Sequence, residues 1–404
     1  MLRKSLFLFV VLGLDSELFQ KGANMKIAIF TDTFYPEVNG VANTLKNFTH
    51  YLESQQISYK VFAPLALSNE YVSDHIHRFK SLSFFLYPEC RLAIPNILQL
   101  KTEIEQFSPD LIHVATPFTV GLSGVYFAKK FNIPLVGSYH TDFNDYLQFY
   151  DLQFLAKPLW KYMKWFHRSF EKLFVPSIDT LEKLNSRGFS NLEIWPRGVD
   201  CQAYHPYYEK EMIRNRYSIS EKFILTYVGR LAPEKDLKTL MKVAASLPPE
   251  INEQVHWLIA GDGPLLEELK MTALPNMTFT GYMKGVELAE IYSTSDLFVF
   301  PSPTETFGNV VLEALASGTP VIGANAGGVK NIISTGTIGY LCEPGNAADF
   351  TKSIHHLLDN EPLRLQMAGN ARKYALTQKW DQIFEEVIHQ YSSVINKPAK
   401  KIYA

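Results

Sequence analysis

With 404 residues the chain is long enough for two or three domains, each with its own core. Its 47% hydrophobic and 20% charged content is that of an ordinary soluble globular protein, and a formal net charge of -2 argues against a general nucleic-acid binder. Three scattered cysteines, Cys90, Cys201 and Cys342, form no CxxC pair, which excludes zinc-ribbon and thioredoxin-like chemistry and suits reduced thiols in the cytosol.

The apolar run Leu6–Leu14 follows Arg3 and Lys4 like a short signal peptide, but it is too short to span a bilayer and no convincing cleavage site follows. At Met25 a buried strand begins. Lys21-Gly22-Ala23 must be encoded by a purine-rich string just upstream of that ATG, so Met25 is the expected start and residues 1–24 an expected non-native extension. No later segment reaches the ~20 apolar residues of a membrane-spanning helix.

From Met25 short β-branched or aromatic runs alternate with helical patterns, the mark of parallel sheets with crossover helices. In the first half the strands are expected at Ile27–Thr31, Tyr59–Ala63, Leu111–Ala115, Leu135–Tyr139, Leu173–Pro176 and Leu192–Trp195, with helices such as Val41–Glu53 and Thr119–Phe131 between them. Pro196–Tyr208 carries no periodicity and reads as a linker. A second set follows, with strands at Phe223–Val228, Val255–Ala260, Met277–Thr280, Leu297–Phe300 and Pro320–Gly323 and helices at Asp236–Ser246 and Asn309–Ala316. The last helix spans about Asp381–Val394. The expectation is therefore an α/β chain of two doubly wound domains, 25–199 and 200–376. A helical segment, 377–396, is a candidate to pack back on the first. Ligands then belong in the cleft outside the carboxyl ends of the strands.

The second half carries the clearest chemistry. Gly229-Arg230 ends a strand, and Lys235 stands five residues after Arg230, with Asp236 a candidate N-cap. Two cations at a strand mouth suit a diphosphate, although the spacing alone equally describes two solvated surface charges. Gly261-Asp262-Gly263-Pro264 is by itself a strand-to-helix turn. Pro301–Asn309 then leads from a strand into a helix starting near Gly308 or Asn309, whose free N–H groups make an anion site. Glu305 lies in that loop and can accept from sugar hydroxyls, while Glu313, eight residues on, can accept from a ribose. Gly327-Gly328 marks a further turn where backbone could approach a ligand.

Taken together, Glu305-x7-Glu313 around Phe307-Gly308 and Gly229-Arg230-x4-Lys235 resemble the retaining GT-B glycosyltransferases, over nearly the whole chain from Lys26. Phe34-Tyr35-Pro36-x-Val38-Asn39-Gly40-Val41, Ser138–Asp142 and Pro196-Arg197-Gly198-Val199-Asp200 look closest to bacterial GDP-mannose-dependent α-mannosyltransferases and diacylglycerol glucosyltransferases. The resemblance implies two Rossmann-like domains facing across a cleft. It implies that Gly40, Phe307, Gly308, Asn309 and Glu313 bind the nucleotide-diphosphate hexose. His140 would contact the transferred sugar, Arg230 and Lys235 would hold the diphosphate and stabilise the leaving group, and Glu305 would position the sugar. Front-face substitution with retention needs no covalent carboxylate nucleophile, so the two-carboxylate glycosidase scheme does not apply. No Asp-x-Asp motif is present, and Asp142-x-x-Asp145 has the wrong spacing, so no metal and no cofactor are expected. Arg197 stands where many relatives have Asn. A lipid or glycan acceptor follows from the nearest branches. GDP-mannose is the first expected donor and UDP-glucose the second; a GT-B-fold epimerase and a non-catalytic nucleotide-sugar-binding protein are the rival readings.

Residues 157–174 also draw attention. Lys157, Lys161, Lys164, Arg168 and Lys172 recur at helical spacing beside an apolar stripe. Such a helix suits an anionic membrane surface, which would make the protein cytoplasmic and peripheral, with Lys161, Lys164 and Arg168 at the contact. It equally suits a helix packed on the sheet with a solvated basic edge.

Overall fold

A computed structural model describes residues 25–37, 39–65, 73–83, 91–142, 147 and 152–397; the extension 1–24, Val38, Cys90, Asp145 and the final seven positions lie outside them. In chain order the strands are β1 (Lys26–Phe30), β2 (Ser58–Pro64), β3 (Ile76–Phe79), β4 (Ser81–Ser83), β5 (Arg91–Ala93), β6 (Leu111–Val114), β7 (Leu135–Ser138), β8 (Lys172–Val175) and β9 (Leu192–Ile194). After the linker come β10 (Phe223–Val228), β11 (Val255–Ala260), β12 (Met277–Gly281), β13 (Leu297–Phe300), β14 (Val321–Ala324) and β15 (Gly339–Cys342).

Two parallel sheets result, ordered β3-β2-β1-β6-β7-β8-β9 and β12-β11-β10-β13-β14-β15, while β4 and β5 pair antiparallel on their own. Strands β1, β6, β7, β10, β11 and β13 are buried along nearly their whole length, as parallel strands covered by helices on both faces must be. The strand order reverses at β1/β6 in the first sheet and at β10/β13 in the second. Both reversals put the following loops at ligand-binding switch points.

Several elements depart from expectation, the antiparallel pair β4 and β5 among them. The edge strands β3 and β15 are short and mixed in polarity, Ile-His-Arg-Phe and Gly-Tyr-Leu-Cys, so no period announced them. The basic helix covers Ala156–His167 and stops there. Lys172 opens β8 instead, hydrogen-bonded to Gln390, so it is not part of the basic stripe. Asp32, buried at the end of β1, caps the helix Thr119–Phe131 from outside: its carboxylate accepts from Val120 N at 2.8 Å and from Thr116 Oγ1 at 2.7 Å. Phe118, at the N-cap position, has no side chain able to do so.

One core fills the second domain and two flank the first sheet. The helix Trp380–Ile395 completes one of those two. Phe384 and Tyr391 pack on Phe48 at ring distances of 5.2 and 6.0 Å, and Trp195 closes the cluster at 5.4 Å. The linker is tied down by Arg372, which donates to the carbonyls of Cys201, Tyr204 and Ala316. Cys201 and Cys342 are free thiols.

Candidate active site

The carboxyl ends of the two sheets open onto one cleft of about 960 Å³, at the upper end of the size range for small-molecule sites. His140 and Gly40 reach it from the first sheet; Arg230, Lys235, Glu305, Phe307, Gly308, Asn309 and Glu313 reach it from the second. Lys161, Lys164 and Arg168 do not. They are exposed on and just after the basic helix, away from the cleft.

The loop after β10 is built on paired charges. Tyr227 donates its hydroxyl to the Arg230 carbonyl at 3.1 Å. The buried Glu234 accepts from Arg230 Nη2 at 2.5 Å and Nε at 3.2 Å. One short turn later Lys235 Nζ donates to Glu305, and Ser302 Oγ donates to the same carboxylate at 3.3 Å. Asp236 caps the next helix through Thr239 N. Thr304 Oγ1 donates to the Glu234 carbonyl at 3.0 Å and so ties the two loops together.

The helix Asn309–Ala316 starts at Gly308, whose φ of +104° lies where side chains rarely go. Gly308 cannot cap it with a side chain, which leaves first-turn N–H groups for an anion. Phe307 is mostly a core residue that shows one edge to the cleft. Glu313 sits one turn inside the helix and accepts from Tyr292 OH at 3.0 Å. Burial pushes its carboxyl up to about 7, against the lowering effect of the Tyr292 bond.

Gly327 and Gly328 correct a sequence expectation: neither lines the cleft. A Cβ on Gly327 would stand 2.3 Å from the Glu305 carbonyl oxygen, and Gly328 N donates to that oxygen at 2.6 Å. What approaches this turn is the backbone of the Glu305 loop.

From the first sheet, the helix Gly40–Ser54 is capped by Asn39, which accepts from Ala42 N at 2.9 Å. A Cβ on Gly40 would meet Asn309 Nδ2 at 3.6 Å, so the two helix starts face each other across the cleft. Thr306 Oγ1 donates to the His140 carbonyl at 2.8 Å, a direct bond between the halves. The His140 ring is engaged at both nitrogens: Arg197 Nη2 donates to Nδ1 at 2.7 Å, and Ser138 Oγ lies 2.6 Å from Nε2. Burial, then the charge of Arg197, hold the His140 pKa well below its ordinary value, so the ring is neutral.

Two family models cover most of the chain. "Glycosyltransferase Family 4" matches residues 38–203 and "Glycosyl transferases group 1" matches residues 209–374. The chain is 33% identical to a GDP-mannose-dependent alpha-mannosyltransferase of Mycobacterium tuberculosis, over 92% of its own length and 97% of the relative's. The chain belongs to the group 1 glycosyltransferases. It is also similar to the alpha-monoglucosyldiacylglycerol synthase of Streptococcus pneumoniae, at 30% identity over 78% of this chain and 75% of that one. Sucrose-phosphate synthase of Thermosynechococcus elongatus superposes with a TM-score of 0.77 at 20% identity, covering 92% of this chain and 99% of that one, and the fold is GT-B.

Several residues of this glycosyltransferase cleft escaped sequence reading. Glu234 was legible in principle, being four residues from Arg230. Tyr292, His113 and Tyr391 lie 21 or more positions from the residues they bond, and no local pattern marks them. Among the described residues no cluster of three or more His, Cys, Asp or Glu is arranged to hold a metal ion, and no helix is long and apolar enough to cross a membrane.

Proposed function

We propose that this glycosyltransferase moves mannose from GDP-mannose, with retention and without a metal, onto a lipid or glycan acceptor. The observation that carries the reading is the meeting of Arg230, Lys235, Glu305, Glu313 and the Gly308 helix start in one cleft. Arg230, Lys235 and the helix N–H groups supply positive charge where the departing diphosphate gains negative charge. Glu313 accepts from the ribose and Glu305 from the sugar. In the transfer the bond from the anomeric carbon to the phosphate oxygen breaks and one to the acceptor oxygen forms on the same face. The acceptor proton passes to the leaving phosphate. Similarity to the mannosyltransferase favours GDP-mannose, and similarity to the glucolipid synthase keeps UDP-glucose as the second donor. Domain closure then brings the two halves onto the donor.

Calorimetric titration with GDP, UDP, GDP-mannose and UDP-glucose tests this. Guanosine-selective binding that Glu313→Ala abolishes supports it; uridine-selective binding moves the donor to UDP-glucose; no binding removes it. Product analysis separates transfer, which yields a glycoside, from epimerisation or simple binding.

The raised Glu313 carboxyl predicts a pH dependence. Burial raises its folded pKa above the ordinary 4.5 of a glutamate, so the protein without donor holds the proton up to about 7. The ribose hydroxyls need the carboxylate as acceptor. Donor affinity should therefore rise with pH through 7 and fall towards about tenfold per unit below it. Titrations at pH 6 and 8 should differ accordingly, and Glu313→Gln should flatten the profile.

We further propose that the protein sits on an anionic membrane surface through the basic helix. The helix packs its apolar stripe on the sheet, with Met163 and Phe166 each 2% exposed, so what faces outward is the basic edge, Lys161, Lys164 and Arg168 beside Trp165, itself 46% exposed. Sedimentation with phosphatidylglycerol vesicles should fall several-fold when the three cations are replaced by Gln. Unchanged binding would remove the proposal.

A further inference from the structure

Arg197 is the site cation the scheme above leaves unused. It follows β9, is 5% exposed and lines the cleft. Its Nη1 donates to the carbonyls of Trp195 at 2.6 Å and Pro196 at 3.2 Å, and its Nη2 to His140 Nδ1 at 2.7 Å. All three acceptors are neutral. Among the described residues no carboxylate pairs with Arg197, whereas Arg230 faces Glu234 and Lys235 faces Glu305. Burial lowers its pKa to about 9, which still leaves a full cation at neutral pH. A neutral amide could serve the same carbonyls. A buried charge without an anionic partner is costly, so the charge calls for one beyond the described residues, and an anionic ligand in the cleft that Arg197 lines is placed to supply it.

The groups behind Arg197 hold it rigidly. A guanidinium only donates, so His140 Nδ1 accepts and the ring proton sits on Nε2. That proton goes to Ser138 Oγ at 2.6 Å, the Ser138 hydroxyl then donates to His113 Nε2 at 2.9 Å, and His113 Nδ1 is left to donate to Tyr391 OH at 2.5 Å. Burial lowers the His113 pKa to about 3, so that ring is neutral too and the chain of donors runs one way. Both nitrogens of His140 are spent inside the protein. The Nε–H and the second Nη2–H of Arg197 have no protein acceptor among the described residues.

We propose that Arg197 is an oxyanion-binding residue of the donor site, contacting either a diphosphate oxygen or a carboxylate carried by the transferred sugar, with His140 as the residue that positions it. The inference rests on the donor reading of the cleft and shifts the ligand contact from the His140 ring to Arg197. It is tested on the full chain by titrating wild type and Arg197→Gln with GDP, UDP, UDP-glucose and UDP-glucuronate, after thermal unfolding has shown the variant folded. Arg197→Gln should bind about 10- to 100-fold more weakly. Loss on GDP and UDP alike assigns the anion to the diphosphate, and loss confined to UDP-glucuronate assigns it to the sugar. Affinity for all four ligands within about twofold of wild type overturns the proposal. If Arg197→Gln does not fold, Arg197→Lys decides. An ammonium cannot serve the two carbonyls, His140 and a ligand together, so several-fold loss is expected and no loss overturns the proposal. His140→Gln keeps an acceptor for the guanidinium and should retain most of the affinity, while His140→Leu should lose it. Equal effects of the two would remove the positioning role. If wild type binds none of the four, the donor reading falls and takes this inference with it; a failed contrast between variants removes the inference alone.

Discussion

Lys235→Ala should lower turnover about 100- to 1,000-fold with little change in thermal stability. The ammonium lies on the loop after β10, in contact with Glu305, at the mouth of the cleft where the diphosphate is proposed to depart. A fixed cation there acts most when the leaving oxygen gains charge, so kcat should fall more than donor affinity. Stability should change little because both side chains are only partly buried, and water can solvate the Glu305 carboxylate once Lys235 is gone. Arg230→Ala makes an informative contrast. Its partner Glu234 is 2% exposed and would be left as a buried unpaired carboxylate, so this variant should lose stability as well as turnover. Steady-state kinetics together with thermal unfolding separate the two. A fall in kcat of less than about tenfold for a folded Lys235→Ala would deny Lys235 the leaving-group role.

Gly327→Ala should cost about 2–4 kcal/mol and also reduce turnover. Two effects add. The residue has a φ of +52°, which penalises any side chain, and its Cβ would press on the Glu305 carbonyl oxygen at 2.3 Å. That carbonyl belongs to backbone and cannot swing aside as a side-chain end would. Relief requires the Glu305 loop to move, which shifts the carboxylate facing Lys235 and strains the 2.6 Å bond from Gly328 N. Gly336→Ala is the control. It has a φ of +79° with nothing within 4 Å of the added Cβ, so it should show the backbone cost of roughly 1 kcal/mol and normal turnover. Equal destabilisation of the two by urea unfolding would mean that the contact with Glu305 adds nothing.

Much of the fold was legible because parallel strands buried on both faces announce themselves as short apolar runs. β10 and β11 match their expected bounds, as do the helices Thr119–Phe131 and Asn309–Ala316. β3 and β15 were not legible, since an edge strand pairs on one side only and needs little apolar character. The basic stripe was over-extended because Lys172 keeps helical spacing in sequence while its backbone already belongs to β8. Spacing on a projected helix cannot reveal where the helix stops.

The sequence by itself determined the elements that depend on neighbours in the chain: the alternating strands and helices, the Gly308 helix start, and the two glutamates eight residues apart beside it. Tertiary structure alone decided which distant groups meet. Gly327 proved to be the bed of the Glu305 loop and does not line the cleft. Arg197, a single departure from a motif, became a buried cation braced by His140, Ser138, His113 and Tyr391. The last bond of that series joins residues 278 positions apart. Local propensity acts over a few residues, whereas burial, charge compensation and proton placement depend on everything packed around a group. Only the folded chain sets those surroundings.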